Sequence, residues 1–386
     1  MAVAQPLPVE DVEETFEYSK NTVWKRFRKH KLAMTGAVVL LLLVLIAVLA
    51  PFVSAGIDPN AIDNVHWQGN PLPPCFQDAA QCGGHVLGSD ENGRDMLARL
   101  IYGARISLTV GVAAVVVELI IGTILGAMAG YFKNIPLPLR SRAPLGAVYT
   151  ASAVFAILGF YVAFKLPLHA DWAQVLAGIV LAIAGAIVGF IIGTMLPFGP
   201  PRRVMATVPI DYLIMRVTDV FLSIPLLPLM LTLTGIVAAM STKASLDFKT
   251  IVIIIGLLSW PGVARLVRAT YLSLREREYT EAARAVGNRD GRIIFRHLLP
   301  NAMAPLTVQA TLDVANVIVL ESSLSFLGFG IQPPTASWGN MLANAESNLE
   351  TAWWAAVFPG LLILITVLAI NYIGDGLRDA LDPNMR

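Results

Sequence analysis

Leu274–Pro300 reads LREREYTEAARAVGNRDGRIIFRHLLP, a polar strip set between the apolar runs Thr250–Ala264 and Ala302–Leu320. Counted from Arg265, the region holds eight arginines. Its centre is Glu281-Ala282-Ala283, followed by Gly287 and, at the end, Leu299-Pro300. This spacing predicts two short helices joined by a sharp turn. Ser273 and Glu276 read as a capping box that starts the first helix, and Gly287 suits the left-handed turn that ends it. Asp290 reads as the cap of a second helix through Ile293, Ile294 and Phe295 that stops before Pro300. Ala282 and Ala283 leave little side chain, so a partner surface can approach the backbone, while Glu281 supplies one orienting charge. Taken alone, the strip also reads as a solvated connection between two spans.

The flanking sequence decides what the strip connects. Of 386 residues, 56% are apolar and 14% charged, and mean hydropathy is +0.66, which excludes an ordinary soluble domain. The apolar residues gather into Met34–Phe52, Ile106–Phe132, Ala143–Phe164, Trp172–Phe198, Val217–Met240, Thr250–Ala264, Ala302–Leu320 and Thr351–Gly374. Crossing a bilayer of ~30 Å takes about 20 such residues, so the sixth run must borrow from Arg265–Leu272. Twelve Val, Leu, Ile or Phe in the first run are worth roughly −4 to −7 kcal/mol of insertion free energy. Polar residues precede that run, Pro51 follows it and it lacks an A-x-A cleavage site, so it reads as an uncleaved anchor.

Lys and Arg are unevenly distributed between alternate loops. They cluster at Lys20–Lys31, Lys133–Arg142, Arg202–Arg216, Arg265–Arg296 and the C-terminus, and are sparse in Ser54–Ala104, near Lys165, in the loop with Lys243 and Lys249, and in Ser322–Trp353. By the positive-inside rule both termini and the Glu281 strip face the cytoplasm. The basic, aromatic stretch Trp24–Lys29 then reads as a helix on anionic lipid rather than a nucleic-acid site. Cys75 and Cys82 fall on the outer side, where two cysteines this close suggest a local disulfide. His66 and His85 form no recognised metal-ligand spacing with them.

The Glu281 strip resembles the EAA loop of the membrane subunits of ABC importers. Arg296-His297-Leu298-Leu299-Pro300-Asn301 resembles, more narrowly, the C-type permease of dipeptide/oligopeptide transporters. So do Leu87-Gly88-Ser89-Asp90 through Arg105, Ser223-Ile224-Pro225, Ser259-Trp260-Pro261-Gly262, Glu321–Gly328, Pro333–Asn340 and Gly374–Pro383. The resemblance covers residues 34–132 and 210–386 and implies an all-α polytopic fold, a type I importer core of six transmembrane helices. It also implies ATPase-coupling roles for Tyr279, Glu281, Ala282, Ala283, Gly287, Leu299 and Pro300. A second homologous permease subunit, two ATPase subunits holding ATP and Mg, and an extracytoplasmic binding protein are the partners it implies. Relatives also carry nickel complexes, glutathione or oligosaccharides besides short peptides. The departure is 133–209, which adds two apolar spans rich in Gly and Ala. An even number of added crossings keeps every later loop on its side. The insert reads as a lipid-facing hairpin, or as a surface for an accessory partner or lipid.

The organisation expected is therefore a cytoplasmic tail 1–33, a first transmembrane helix 34–53, an outer loop 54–104, a core of 105–132 and 210–386 with coupling loop 273–300, and the inserted hairpin 133–209. Glu118, Asp219 and Asp313 lie within spans and cost roughly 2.5–3.5 kcal/mol each if lipid-exposed. Asp219, near Arg216, reads as structural; Glu321 reads as a path-lining group. Pro225, Pro228 and Pro261 are expected to kink or break their helices. Ser223, Pro225, Trp260, Pro261, Glu321 and Ser325 form the expected translocation path. Phosphate-binding, zinc-protease and nucleophile-elbow motifs are absent, so no catalytic, cofactor or metal residue is expected. A secondary transporter would show an internal repeat and a membrane enzyme a convergent polar set; neither is visible.

Overall fold

The computed structural model describes residues 23–54, 56–132, 136–137, 208–240 and 248–382, with 152–158 and isolated positions up to 188. Helices dominate: α1 (Lys31–Val48), α2 (Met96–Tyr131), α3 (Ile210–Ser223), α4 (Leu226–Met240), α5 (Phe248–Leu274), α6 (Glu278–Ala285), α7 (Leu299–Phe326), α8 (Trp338–Ala345) and α9 (Trp353–Leu381). In hydrocarbon a helix satisfies its own backbone, which is why the apolar runs take this form. Among the described residues five helical runs are long and apolar enough to cross a membrane. A sixth crossing results if α3 and α4, bent by 90°, count as one. The break falls at Ser223-Ile224-Pro225, where a proline break is expected. Pro228 and Pro261 behave differently. Pro228 sits in the first turn of α4, where no intrahelical donor is needed, and Pro261 lies inside an uninterrupted, tightly packed α5.

The chain divides into two compact units, one of Met1–Gly111, Ala302–Val319 and Ala336–Arg386, the other of Val112–Asn301 and Leu320–Thr335. In the first, α1 runs along α9. Gly36 makes this possible, since a Cβ there would stand 2.5 Å from the Ala369 carbonyl oxygen. Residues 23–29 form a further helical turn whose Phe27 packs against Ala33 and Ala380. Arg26 donates to the Asp382 carbonyl at 3.1 Å. The segment 56–95 has turns but no helix. It is held by Trp354, whose Nε1 donates to the Ser89 carbonyl at 3.1 Å. Trp338 is fully buried and donates to the Leu100 carbonyl.

The second unit is organised around α5, packed on α2 through Gly122, Gly126 and Gly130. A Cβ on these glycines would meet Val263, the Ala264 carbonyl and Tyr271 at 2.5–2.6 Å. Small residues every fourth position let two membrane helices approach closely, where dispersion replaces the hydrophobic effect. Gly256 repeats the device from α5, against Val117 and the Ala114 carbonyl. The two ends of the insert pair as short antiparallel strands, β1 (Pro136–Leu137) and β2 (Val208–Pro209). Inside it Gly185 lies directly against the Phe155 backbone, and Val154, Ile157, Leu158 and Tyr161 are exposed. The rest of the two inserted spans, with Leu166–Asp171 and Arg202–Arg203, lies outside the described residues.

Candidate functional site: the loop after the fifth helix and the polar helix faces

The loop differs in detail from its sequence reading. The expected capping box at Ser273 and Glu276 does not form, because α5 continues through Ser273 to Leu274. Arg277 occupies the N-cap of α6 without a side-chain bond. The junction is closed instead by the Thr280 hydroxyl, which donates to the Leu274 carbonyl at 2.9 Å. Glu278 and Glu281 fall in the first turn of α6, where carboxylates oppose the helix dipole. The two alanines part company: Ala282 is exposed, while Ala283 is buried. Only one of them therefore offers open backbone.

Gly287 ends α6 at φ +85°, the left-handed turn expected of it. Its N–H bonds the Arg284 carbonyl at 2.9 Å, and the Asn288 N–H bonds that of Ala283 at 3.2 Å. The second helix departs from expectation. Asp290 begins the single turn Asp290–Arg292 rather than capping it, and a π turn, Ile293–Leu298, follows. That turn runs straight into α7, so Pro300 does not stop a helix; it lies in the first turn of α7, directly after the π turn. Ile293 and Leu298 are fully buried, which fixes the π turn, whereas Phe295 faces outward. Leu299 is half-buried and Pro300 exposed.

Anchors that the sequence reading missed hold this loop. The Tyr131 hydroxyl donates to Asp290 Oδ1 at 2.6 Å, and Arg275 Nη1 donates to the Tyr131 carbonyl at 3.0 Å. The Arg284 guanidinium lies 5.4 Å from the centre of the Tyr131 ring. Buried Tyr271 donates to the Ile294 carbonyl at 3.2 Å. No local signal in the sequence links Tyr131 to Asp290. Outward on this anchored loop are Tyr279, Glu281, Ala282, Val286 and Phe295 together with Glu278 and the arginines Arg284, Arg289, Arg292 and Arg296, a mixed apolar and strongly charged surface.

The expected path residues separate into two groups. Ser223 is exposed, its hydroxyl bonded to the Asp219 carbonyl, and Pro225 sits in the α3–α4 break. Trp260 and Pro261 are buried on α5, Trp260 beside Phe221. Glu321 and Ser325 are also buried: Ser325 donates to Glu321 at 2.7 Å and accepts from the Ile331 N–H at 3.0 Å. These four side chains thus pack inside the unit in this conformation and shape it, since each has a local partner or a close-packed neighbour. Asp219 is exposed and pairs with Arg265 at 2.8 Å, not with Arg216, which instead donates to the Tyr212 hydroxyl. Arg268 grips Asp211 with two nitrogens, a forked pair the sequence reading did not contain.

In the segment between α1 and α2, Cys75 and Cys82 are joined. His85 bridges Asp95 at 2.7 Å and Asp63 at 3.2 Å, and His66 meets Asp63 at 2.7 Å. Burial pushes the Asp63 carboxyl up, but hydrogen bonds from His66, Val65 and His85 outweigh it and hold it well below the usual carboxylate range. Arg94 and the buried Arg99 share Asp90. Among the described residues no cluster has the geometry to hold a metal ion.

Comparison with known proteins accords with this architecture. Residues 203–386 match the family described as binding-protein-dependent transport system inner membrane component, and residues 21–74 match the N-terminal TM domain of oligopeptide transport permease C. The di/tripeptide transport system permease protein DppC of Pseudomonas aeruginosa (strain UCBPP-PA14) is 34% identical over 380 residues, 98% of this chain and 97% of the relative. The dipeptide transport system permease protein DppC of Alkalihalophilus pseudofirmus is 32% identical over 374 residues, 96% and 93% of the two chains. That of Bacillus subtilis (strain 168) is 32% identical over 364 residues, 94% and 85%. A predominantly helical chain with several helices long and apolar enough to cross a membrane, a glycine-turned loop between two of them and full-length similarity of this kind belongs to the family of binding-protein-dependent ABC transport permeases, in its dipeptide/oligopeptide C-type branch.

Proposed function

We propose that this chain is one permease subunit of an ATP-driven importer of short peptides, coupled to its ATPases through 278–300. The carrying observation is the exposed surface that includes Tyr279, Glu281, Ala282, Val286 and Phe295, backed by the Tyr131–Asp290 and Tyr271–Ile294 anchors. A rigid base beneath an exposed mixed face suits force transmission better than a solvated connection does. The charge pattern supports a cytoplasmic position for this loop and both termini. A second homologous permease completes the path, two ATPases bind ATP and Mg below, and an extracytoplasmic binding protein delivers the cargo. The chain itself performs no hydrolysis. ATP binding must favour one pore state over the other through contacts at this loop, because coupling is a difference in free energy between states. The relatives' names support a peptide as cargo.

The test is co-expression with the candidate ATPases, second permease and binding protein, followed by reconstitution. ATP-dependent accumulation of a labelled di- or tripeptide, lost when the binding protein is omitted, is the expected result. A complex that hydrolyses ATP but accumulates an oligosaccharide or a nickel complex and no peptide would refute the substrate assignment. Accumulation without any ATPase would refute the mechanism.

A further inference from the structure

α3 carries Tyr212, Arg216, Asp219 and Ser223 at intervals of four, three and four residues, so they share one face, and all four are exposed. The neighbouring face, with Leu213, Val217 and Val220, is apolar. α5 is otherwise closely packed: between Thr250 and Thr270 only Gly262, Arg265 and Ala269 are exposed, again at helical spacing. A side chain added at Gly262 would meet nothing within 4 Å. The two faces are joined by the Asp219–Arg265 pair, whose side chains remain 53% and 55% exposed.

This combination does not suit lipid. Arg265 lies nine residues before the end of α5, about 13 Å along the helix from the coupling loop. An ionised group facing hydrocarbon there costs roughly 2.5–3.5 kcal/mol, and the exposed residues of α5 offer no apolar side chain larger than Ala. The faces therefore meet water. Their charge is also unbalanced, since Arg216 and Arg265 flank the single carboxylate of Asp219. A solvated ion pair is worth only ~0–1 kcal/mol, so Arg265 can exchange Asp219 for another carboxylate at little cost.

Resting on the reading of this chain as a peptide permease, we infer that these faces of α3 and α5 line the translocation path and hold the free α-carboxylate of the passing peptide on Arg216 and Arg265. Asp219 keeps Arg265 in place between passages and offers a counter-charge to the peptide's ammonium group. The earlier candidate Trp260 is buried on α5 against Phe221 of α3 and serves as packing.

The chain is suited to a direct test, because its two cysteines are joined and contribute no free thiol. The full complex in nanodiscs would carry Ser223→Cys, Ala269→Cys or, as a control, Val217→Cys. Each would be labelled with an anionic and a cationic methanethiosulfonate. Cysteines at 223 and 269 are expected to react, with the anionic reagent favoured roughly three- to seven-fold by one excess positive charge. Adding Arg216→Gln or Arg265→Gln should remove that bias. Among the described residues Arg216 is hydrogen-bonded only to the exposed Tyr212 hydroxyl, so its replacement leaves their packing intact. A dipeptide should slow labelling, and its C-terminal amide should not. Inert cysteines at 223 and 269, labelling at 217 as fast as at 223, or a bias that survives both arginine variants would overturn the lining. A bias without protection by the free dipeptide would overturn the carboxylate assignment. Because labelling reports charge whatever the cargo, failure of the peptide reading alone leaves the bias intact.

Discussion

Gly287→Val isolates the contribution of one backbone angle to coupling. Gly287 sits at φ +85°, and a Cβ there would meet nothing within 4 Å, so no clash contributes to the effect. The whole cost is conformational: an L-residue in the left-handed region loses about 1–2 kcal/mol, and a β-branched one more. A change of that size lowers the population of the native turn roughly 5- to 30-fold against its alternatives. The turn directs the chain from α6 into the π segment, and its loss releases the bonds from Gly287 to Arg284 and from Asn288 to Ala283. The buried anchors Ile293, Leu298 and Tyr271 are untouched, so insertion and assembly should survive. The assay is peptide imported per ATP hydrolysed in reconstituted complex. Gly287→Val should keep hydrolysis and lose most uptake, while Gly287→Asn, which tolerates the left-handed region, should stay near the parent. Equal coupling in Val and parent, or equal loss in Asn and Val, would refute the reasoning.

Tyr131→Phe removes a hydrogen bond to a carboxylate worth about 1.5–3 kcal/mol and should raise amide exchange across 286–298 and lower the coupling ratio without lowering expression. Mass spectrometry of a non-reduced digest should return a Cys75–Cys82 linked peptide; two alkylatable thiols would contradict both the bond and the outer placement. Because β1 and β2 bring the ends of the insert together, replacing 138–207 with a short Gly-rich link should retain ATP-driven uptake, and a stably assembled variant without uptake would place the insert in the path or in an essential contact. Asp63 is held below its unfolded value in the folded loop, so its contribution is fully present above that value and is lost as pH falls through and below about 4. Protection of residues 60–95 from exchange should be level from pH 5 to 7 and decline in acid, and Asp63→Asn should flatten that decline.

Local properties were legible in the sequence. Hydropathy set the membrane-crossing runs, since lipid leaves the backbone little choice but helix. Gly287 declared its turn because few other residues take that angle cheaply. Ser223-Ile224-Pro225 announced a break for the same kind of reason. The glycine ladder Gly122, Gly126 and Gly130 and its partner helix emerged only in the structure. The tertiary structure alone decided which face of each helix is covered. Ala282 and Ala283 are adjacent and identical in type, yet the rotation of α6 buries one and exposes the other. Glu321 looked like the path carboxylate and is fully buried, whereas Asp219 looked structural and lies open beside Arg265. Asp211 and Arg268, 57 residues apart, meet only because α3 crosses α5. Composition and spacing act within a turn or two of chain, whereas burial and charge pairing depend on helix rotation and crossing, which no single segment encodes.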